Sequence, residues 1–269
     1  MENTTFLPEI CYPHKSLSLE EIFIAYADKQ SVTGYVEKLI PEEEIVVVRL
    51  NSEIVAYMPY SEATMYPLRS SEKVNSKIPT NVYFLLGKNI RVKITRLGGK
   101  FITVSRKASM LEAFAHLCKC DRATFHITHL ERKSAFGDIG CGIIGRVIID
   151  EVCRTHIKSV KEYLKKGDIV KTCILAKTAD NFFDLSYKSA CDPYDKEKFS
   201  IGMPVVGKVC DYVHGAKRPG YYINITPQVS GIMNATSGIH KLRYGTLVEC
   251  VVNGVGENGL HLSFSKILD

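Results

Sequence analysis

Two short stretches place flat rings and fixed positive charge within a few residues of each other: Arg132, Lys133 and Phe136, then Lys217, Arg218, Tyr221 and Tyr222. An aromatic face stacks on a planar base while a neighbouring cation follows phosphate. The combination predicts contact with a single-stranded polyanion, at about 1–3 kcal/mol per stacked base. More cations follow the first stretch, namely Arg146 on the next apolar run and Arg154, His156, Lys158 and Lys161 beyond it. If both stretches are strands, side chains alternate between faces, so only one of Tyr221 and Tyr222 points outward, and the register favours Tyr222. The opposite assignment makes Phe136 a barrel-core residue and the cations solvated surface.

Other chemistry finds less support. Gly140-Cys141-Gly142-Ile143-Ile144-Gly145 satisfies GxGxxG, but a dinucleotide site needs a strand before it and a helix N-terminus after it. Here β-branched Val147-Ile148-Ile149 follows, which places these glycines in a turn between strands. The histidines do not fall into order with an acid and a nucleophile, and no GxxxxGK[ST] loop is present, so no catalytic site is expected. Cys118-Lys119-Cys120 lacks the second pair of ligands that a zinc site requires, and neither metal nor cofactor is expected.

The elements that must position these residues repeat. Gly87, Gly167 and Gly245 lie 80 and 78 residues apart, and Ser105, Ser186 and Ser263 lie 81 and 77 apart. Each glycine opens an alternating apolar run, a turn follows (Gly98-Gly99, Ala179-Asp180-Asn181, Glu257-Asn258-Gly259), and an apolar residue precedes each serine. This is the pattern of a β-hairpin repeated three times. Upstream, each unit has three further short runs, beginning at Val32, Thr124 and Val206, at Ile45, Ala135 and Tyr221, and at Ile54, Ile143 and Val229. Five strands in about 70–80 residues is the plan of an OB-fold barrel. The fold class predicted is all-β, with three consecutive five-stranded OB-fold barrels joined by short helices.

The expected divisions are an N-terminal segment with a helix (1–29), repeat one (30–107), a helical joint (108–119), repeat two (120–190), a linker (191–198) and repeat three (199–269). Ser18 with Glu21 predicts a capping box for the first helix, and Ser109 with Glu112 one for the joint. Ser61 to Leu86 is extra length in repeat one, a polar loop carrying Ser70-Ser71-Glu72-Lys73.

Composition sets the compartment and the class of partner. The 269 residues carry a formal charge of +6, which favours an anionic partner, nucleic acid before membrane. No apolar run approaches the roughly 20 residues of a membrane span, and the start lacks a secretory pattern, so a cytoplasmic protein is expected. Nine cysteines without regular spacing fit reduced thiols, with Cys173 and Cys250 acting as small hydrophobes inside strands. The sequons at Asn3, Asn224 and Asn234 are then chance matches.

Gly167-Asp168-Ile169-Val170 ending in Leu185-Ser186-Tyr187-Lys188 resembles the repeat of the bacterial ribosomal protein S-one family, as do Phe136-Gly137-Asp138-Ile139-Gly140, Arg154-Thr155-His156-Ile157-Lys158 and Leu39-Ile40-Pro41. The resemblance covers about residues 30–268. It implies OB-fold modules that bind single-stranded RNA, with messenger RNA and small-subunit proteins as partners. It also implies a binding face of two aromatics near strand two, a histidine ending strand three and an acid–arginine pair in the last hairpin. Phe136 and Tyr222 match the second aromatic. The first falls on Lys133 and near Arg218, and the histidine on Pro59, Ile148 and Asn234. The last-hairpin arginine is matched in no repeat. Repeat one has Val47 at the aromatic position and Glu42-Glu43-Glu44 beside it, and so reads as a docking module. Three functions fit: an RNA-binding protein without turnover, an adaptor that docks on a ribosome or enzyme without touching RNA, and an accessory subunit of an RNA-processing enzyme.

Overall fold

The computed structural model describes residues 6–13, 15–69, 78–98, 101–154, 157–191, 193–213, 219–234, 242–257 and 259–268. The polar loop Ser70–Lys73 and the turn residues Gly99 and Asn258 lie outside them.

Barrel one is built from β1 (Ser31–Ile40), β2 (Ile45–Arg49), β3 (Val55–Pro59), β4 (Asn89–Arg96) and β5 (Ile102–Ser105), closed in the order β1-β2-β3-β5-β4. Barrel two uses β6 (Arg122–Leu130), β7 (Ser134–Asp138), β8 (Ile144–Ile148), β9 (Ile169–Lys177) and β10 (Phe183–Ser186). Barrel three uses β11 (Pro204–Val213), β12 (Gly220–Asn224), β13 (Ser230–Asn234), β14 (Leu247–Gly256) and β15 (Gly259–Ile267). All three close with the same cyclic order. In barrels one and three the third and fifth strands pair in parallel and the other pairings are antiparallel. This is the Greek-key closure of the OB-fold, as the repeat predicts.

The recurring glycines explain why the pattern survives in every copy. Gly87, Gly167 and Gly245 have φ of 74°, 95° and 87°, a left-handed conformation that side chains resist and that ends the stretch before the fourth strand. Inside each barrel the alternate side chains converge: Val36, Val46, Met58, Ile90 and Val104 in barrel one, and Val209, Ile223, Met233, Val248 and Leu262 in barrel three. Cys250 joins the second set as a small hydrophobe, its thiol pushed up to about 11 by burial. By its contacts the chain divides into two compact units, residues 1–126 with 137–145 and residues 127–136 with 146–269.

Among the described residues three α-helices flank the strands, α1 (Leu19–Ala27), α2 (Thr80–Tyr83) and α3 (Arg106–Leu117), with shorter 3-10 turns elsewhere. Ser18 and Glu21 form the capping box of α1. The cap of α3 differs from expectation. Ser105, the recurring serine, accepts from Ala108 N at 2.9 Å and starts the helix a turn earlier, while Ser109 is buried against Ser31 and Glu112 pairs with Lys93 at 3.0 Å. A serine already fixed at the end of β5 is the nearer cap. Ser186 likewise bonds Ser189, whereas Ser263 sits inside β15, which continues to Ile267. Among the described residues no helix is long and apolar enough to cross a membrane.

One glycine fixes the approach of two strands. A Cβ on Gly137 of β7 would lie 1.9 Å from the carbonyl oxygen of His126 in β6. Backbone cannot yield as a side-chain tip can. Gly137→Ala is therefore expected to cost about 3 kcal/mol or more, at the upper end for overpacking, read as a lowered urea midpoint. An unchanged midpoint would contradict this.

Candidate nucleic-acid interface

The second, third and fifth strands of each barrel carry an outward row at one common register. In barrel three Tyr222 of β12 lies opposite Ile232 of β13, which lies beside His261 of β15. In barrel one the same positions hold Val47, Tyr57 and Thr103. In barrel two, Ile149 N donates to Lys133 O and Ile139 N to Ile143 O. Both bonds belong to one β7–β8 register, which sets Phe136 across from Arg146. Arg146 in turn bonds Asp184 of β10 at 2.8 Å. The third member of each row, Thr103, Asp184 or His261, stands two residues before the recurring serine, on the same face of the strand.

The rows differ in chemistry. Barrel three presents Tyr222, 38 % exposed, while Tyr221 is 5 % exposed and turned into the core, as the alternation predicts. Ile232 and His261 extend the exposed surface from the tyrosine. Barrel two presents Phe136, half-buried, with the His129 ring 6.5 Å away and tilted by 37°. A planar base could stack on Phe136 with His129 at its edge. Arg146 beside it is balanced by Asp184, so it offers directional N–H donors more than net charge. The resemblance implies an acid–arginine pair in the last hairpin; here the acid is in that hairpin and the arginine comes from β8.

The other predicted residues are placed around these rows. Arg132 and Lys133 are exposed in the β6–β7 connection, and Arg132 Nε donates to Lys158 O at 3.4 Å. Lys158 rests its ammonium over the Tyr244 ring at 4.0 Å, a cation–π contact that commits it to structure as much as to a ligand. Its backbone N–H donates to Glu162 and to the Tyr244 hydroxyl, and that hydroxyl is held to Glu162. Arg154 is exposed, its backbone N–H tied to Pro227 O at 2.8 Å. His156, Lys217 and Arg218 lie outside the described residues. The structure therefore brings together Phe136 with Arg146 and Arg132 with Lys158, and sets Tyr222 in a row of its own. Sequence reasoning passed over His129, Asp184, Ile232 and His261; the fixed offset from the recurring serine was the signal that could have found Asp184 and His261.

No family model matches the chain, and no curated protein matches it. Among solved structures it is similar to a multidomain protein with nucleic acid binding domains from Streptococcus pneumoniae TIGR4, at 10% identity and a TM-score of 0.27 over 88% of this chain and 74% of that one. It is also similar to Drosophila Unr CSD456, at 9% identity and 0.22 over 89% and 98%. A third, described as structural mimicry for functional antagonism, shares 10% identity at 0.21 over 55% and 92%. At these values the likenesses bear on neither the site nor its ligand. The side chains alone carry the functional reading.

A separate cluster in the first compact unit accounts for the glycine-rich turn. Asp138 accepts from Glu9 N at 2.6 Å and from Gly140 N and Gly142 N at 2.8 Å each. The amides that mimic a dinucleotide loop thus hold the chain's own carboxylate. Arg106 clamps Glu9 with two bonds of 2.8 Å. Gly142 has φ of 82°, a conformation that side chains resist, and a Cβ on it would also lie 1.7 Å from Arg106 Nη2 and displace that guanidinium from Glu9. Burial, and after it the Glu9 charge, raises the Asp138 carboxyl to about 7, against the amide donors of Glu9 and Gly140 and the Arg106 charge. A carboxyl whose folded pKa lies above the unfolded value of about 3.9 holds a proton that unfolding releases, so its contribution to stability falls as pH rises from about 4 to about 7. Asp138→Asn should flatten that slope in thermal melts; equal slopes in variant and wild type would remove Asp138 as the titrating group.

Proposed function

We propose that this chain is a single-stranded RNA-binding protein that holds messenger RNA beside the small ribosomal subunit in the cytoplasm, by equilibrium binding and without turnover. One observation carries the reading: Phe136 and Tyr222 occupy the same register position on the outward rows of barrels two and three. An outward-facing aromatic at the centre of an OB-fold sheet, exposed as Tyr222 is or half-buried as Phe136 is, is a stacking platform, and two on one chain gain affinity through effective concentration. The exposed cations Arg132, Lys133, Arg154 and Lys161 supply charge for the phosphates. The adaptor reading is favoured by a specific feature as well, the Arg146–Asp184 pair, which spends a row cation on an internal partner.

The two readings part on salt. Single strands release about 0.7 counterion per neutralised phosphate, so about three to five contacts weaken binding on the order of 20- to 100-fold between about 50 and 200 mM salt. The measurement is fluorescence anisotropy with a labelled RNA of about 20–30 nucleotides, room for two OB barrels at about 4–16 nucleotides each. No binding at low salt by the folded chain would sink the RNA reading and leave the adaptor.

A further inference from the structure

We infer that barrel one has its own stacking site for single-stranded RNA, built on Tyr57 and Phe101 instead of the β2 position used by the other barrels; this rests on the RNA-binding function proposed for the chain. Val47, the β2 residue of its row, is buried and offers no ring. The next position in the row is Tyr57, whose ring meets Phe101 edge to face, with centroids 5.2 Å apart and planes at 85°. Phe101 is 58 % exposed. A large aromatic left this open, and oriented by a second ring, presents a face to a planar partner and loses little freedom when one stacks on it.

Charge marks the occupant as an anionic strand. The row runs from Lys38 of β1, opposite Val47, through Tyr57 and Thr103 to Arg96 of β4, opposite Thr103. Lys38 and Arg96 are both exposed, and among the described residues neither is in an ion pair. Glu37, the nearest acid in β1, is held by Arg49 at 2.6 Å. The acidic turn Glu42–Glu44 adjoins Ile45, which pairs with Pro59 at the far end of β3. Phe101 precedes Ile102, which pairs with Ala56, so it sits toward the Val55 end. A strand stacked on Phe101 and flanked by the two cations runs clear of the acidic turn, with the exposed Glu53 of the β2–β3 connection and the Glu37–Arg49 pair at its own end. The acidic turn that marks repeat one as a docking module therefore polarises the sheet, and the Val55 end, with Glu53 against three consecutive acids at the other, is the less acidic of the two.

The chain has no tryptophan, which makes the test specific. Phe101→Trp in the full chain places a single indole at the site with its aromatic character kept, and an unstructured uridine oligomer of about eight nucleotides, near one barrel's site size, is titrated against it. Saturable quenching of about half the emission is expected from stacking, and Lys38→Glu with Arg96→Glu should weaken the midpoint about tenfold. Phe136→Trp in an otherwise native chain is the reference. Quenching at position 136 but not at 101, or quenching at 101 that ignores the charge reversal, overturns the barrel-one site and leaves the RNA reading of barrel two standing. Quenching at neither position overturns both.

Discussion

Arg106→Met is expected to destabilise the first compact unit by about 3–5 kcal/mol, the cost of stranding a buried charge whose partner is removed. Arg106 is enclosed, bonding both oxygens of Glu9, with Nη1 donating to Ala63 O at 3.0 Å and touching Met110 Sδ at 3.4 Å. Taking it away leaves the Glu9 carboxylate largely buried without its partner, beside an Asp138 carboxyl that burial and the Glu9 charge already raise. It also releases the N-terminal segment, where Pro8 is buried and Arg91 covers the Tyr12 ring at 4.5 Å. Chemical denaturation monitored on the whole chain reads the effect as a lowered first transition. Glu9→Gln removes one of the two acids, so Arg106→Met made in that background should cost less than in the wild type, the sign of direct coupling. Equal costs in the two backgrounds would show that Arg106 stabilises by packing and not by pairing.

Phe136→Ala with Tyr222→Ala carries the largest expected effect on binding. Each platform is worth about 1–3 kcal/mol, and together their loss corresponds to at least about a 30-fold weaker Kd for a strand long enough to span both barrels. The two single variants should each lose part of this, because the remaining barrel still tethers the strand. Both rings face outward, so melting temperatures should stay close to wild type. A loss of affinity that tracks a loss of fold would instead make Phe136 the core residue that its half-buried state permits.

Legibility in the sequence tracks the physics of each feature. The barrels were legible because their signals are local: glycines at 87, 167 and 245 sit where φ must be positive, and alternation in each hairpin marks the buried face. The outward direction of Tyr222 followed from the same alternation. The rows were only half legible. Phe136 and Tyr222 announce themselves as aromatics, but Asp184 and His261 come beside them through the pairing of the third and fifth strands, and bulges in β9–β10 and β14–β15 shift any register counted along the hairpin. The cluster of Glu9, Arg106 and Asp138 was not legible, since Glu9 lies 97 residues from Arg106 and 129 from Asp138 and belongs to no repeat. Gly140 and Gly142 of the GxGxxG stretch fall in the turn between β7 and β8, where the repeat alignment places them, and the carboxylate they hold emerges only from the folded turn.

The arrangement proposed for this chain lays single-stranded RNA across the outward rows of barrels two and three. Photocrosslinking with a 4-thiouridine-substituted RNA, followed by peptide mapping, locates the strand without any substitution in the protein. Crosslinks concentrated on the peptides that contain Phe136 and Tyr222 are the predicted result. Crosslinks confined to β9 and β14, away from both rows, would contradict it.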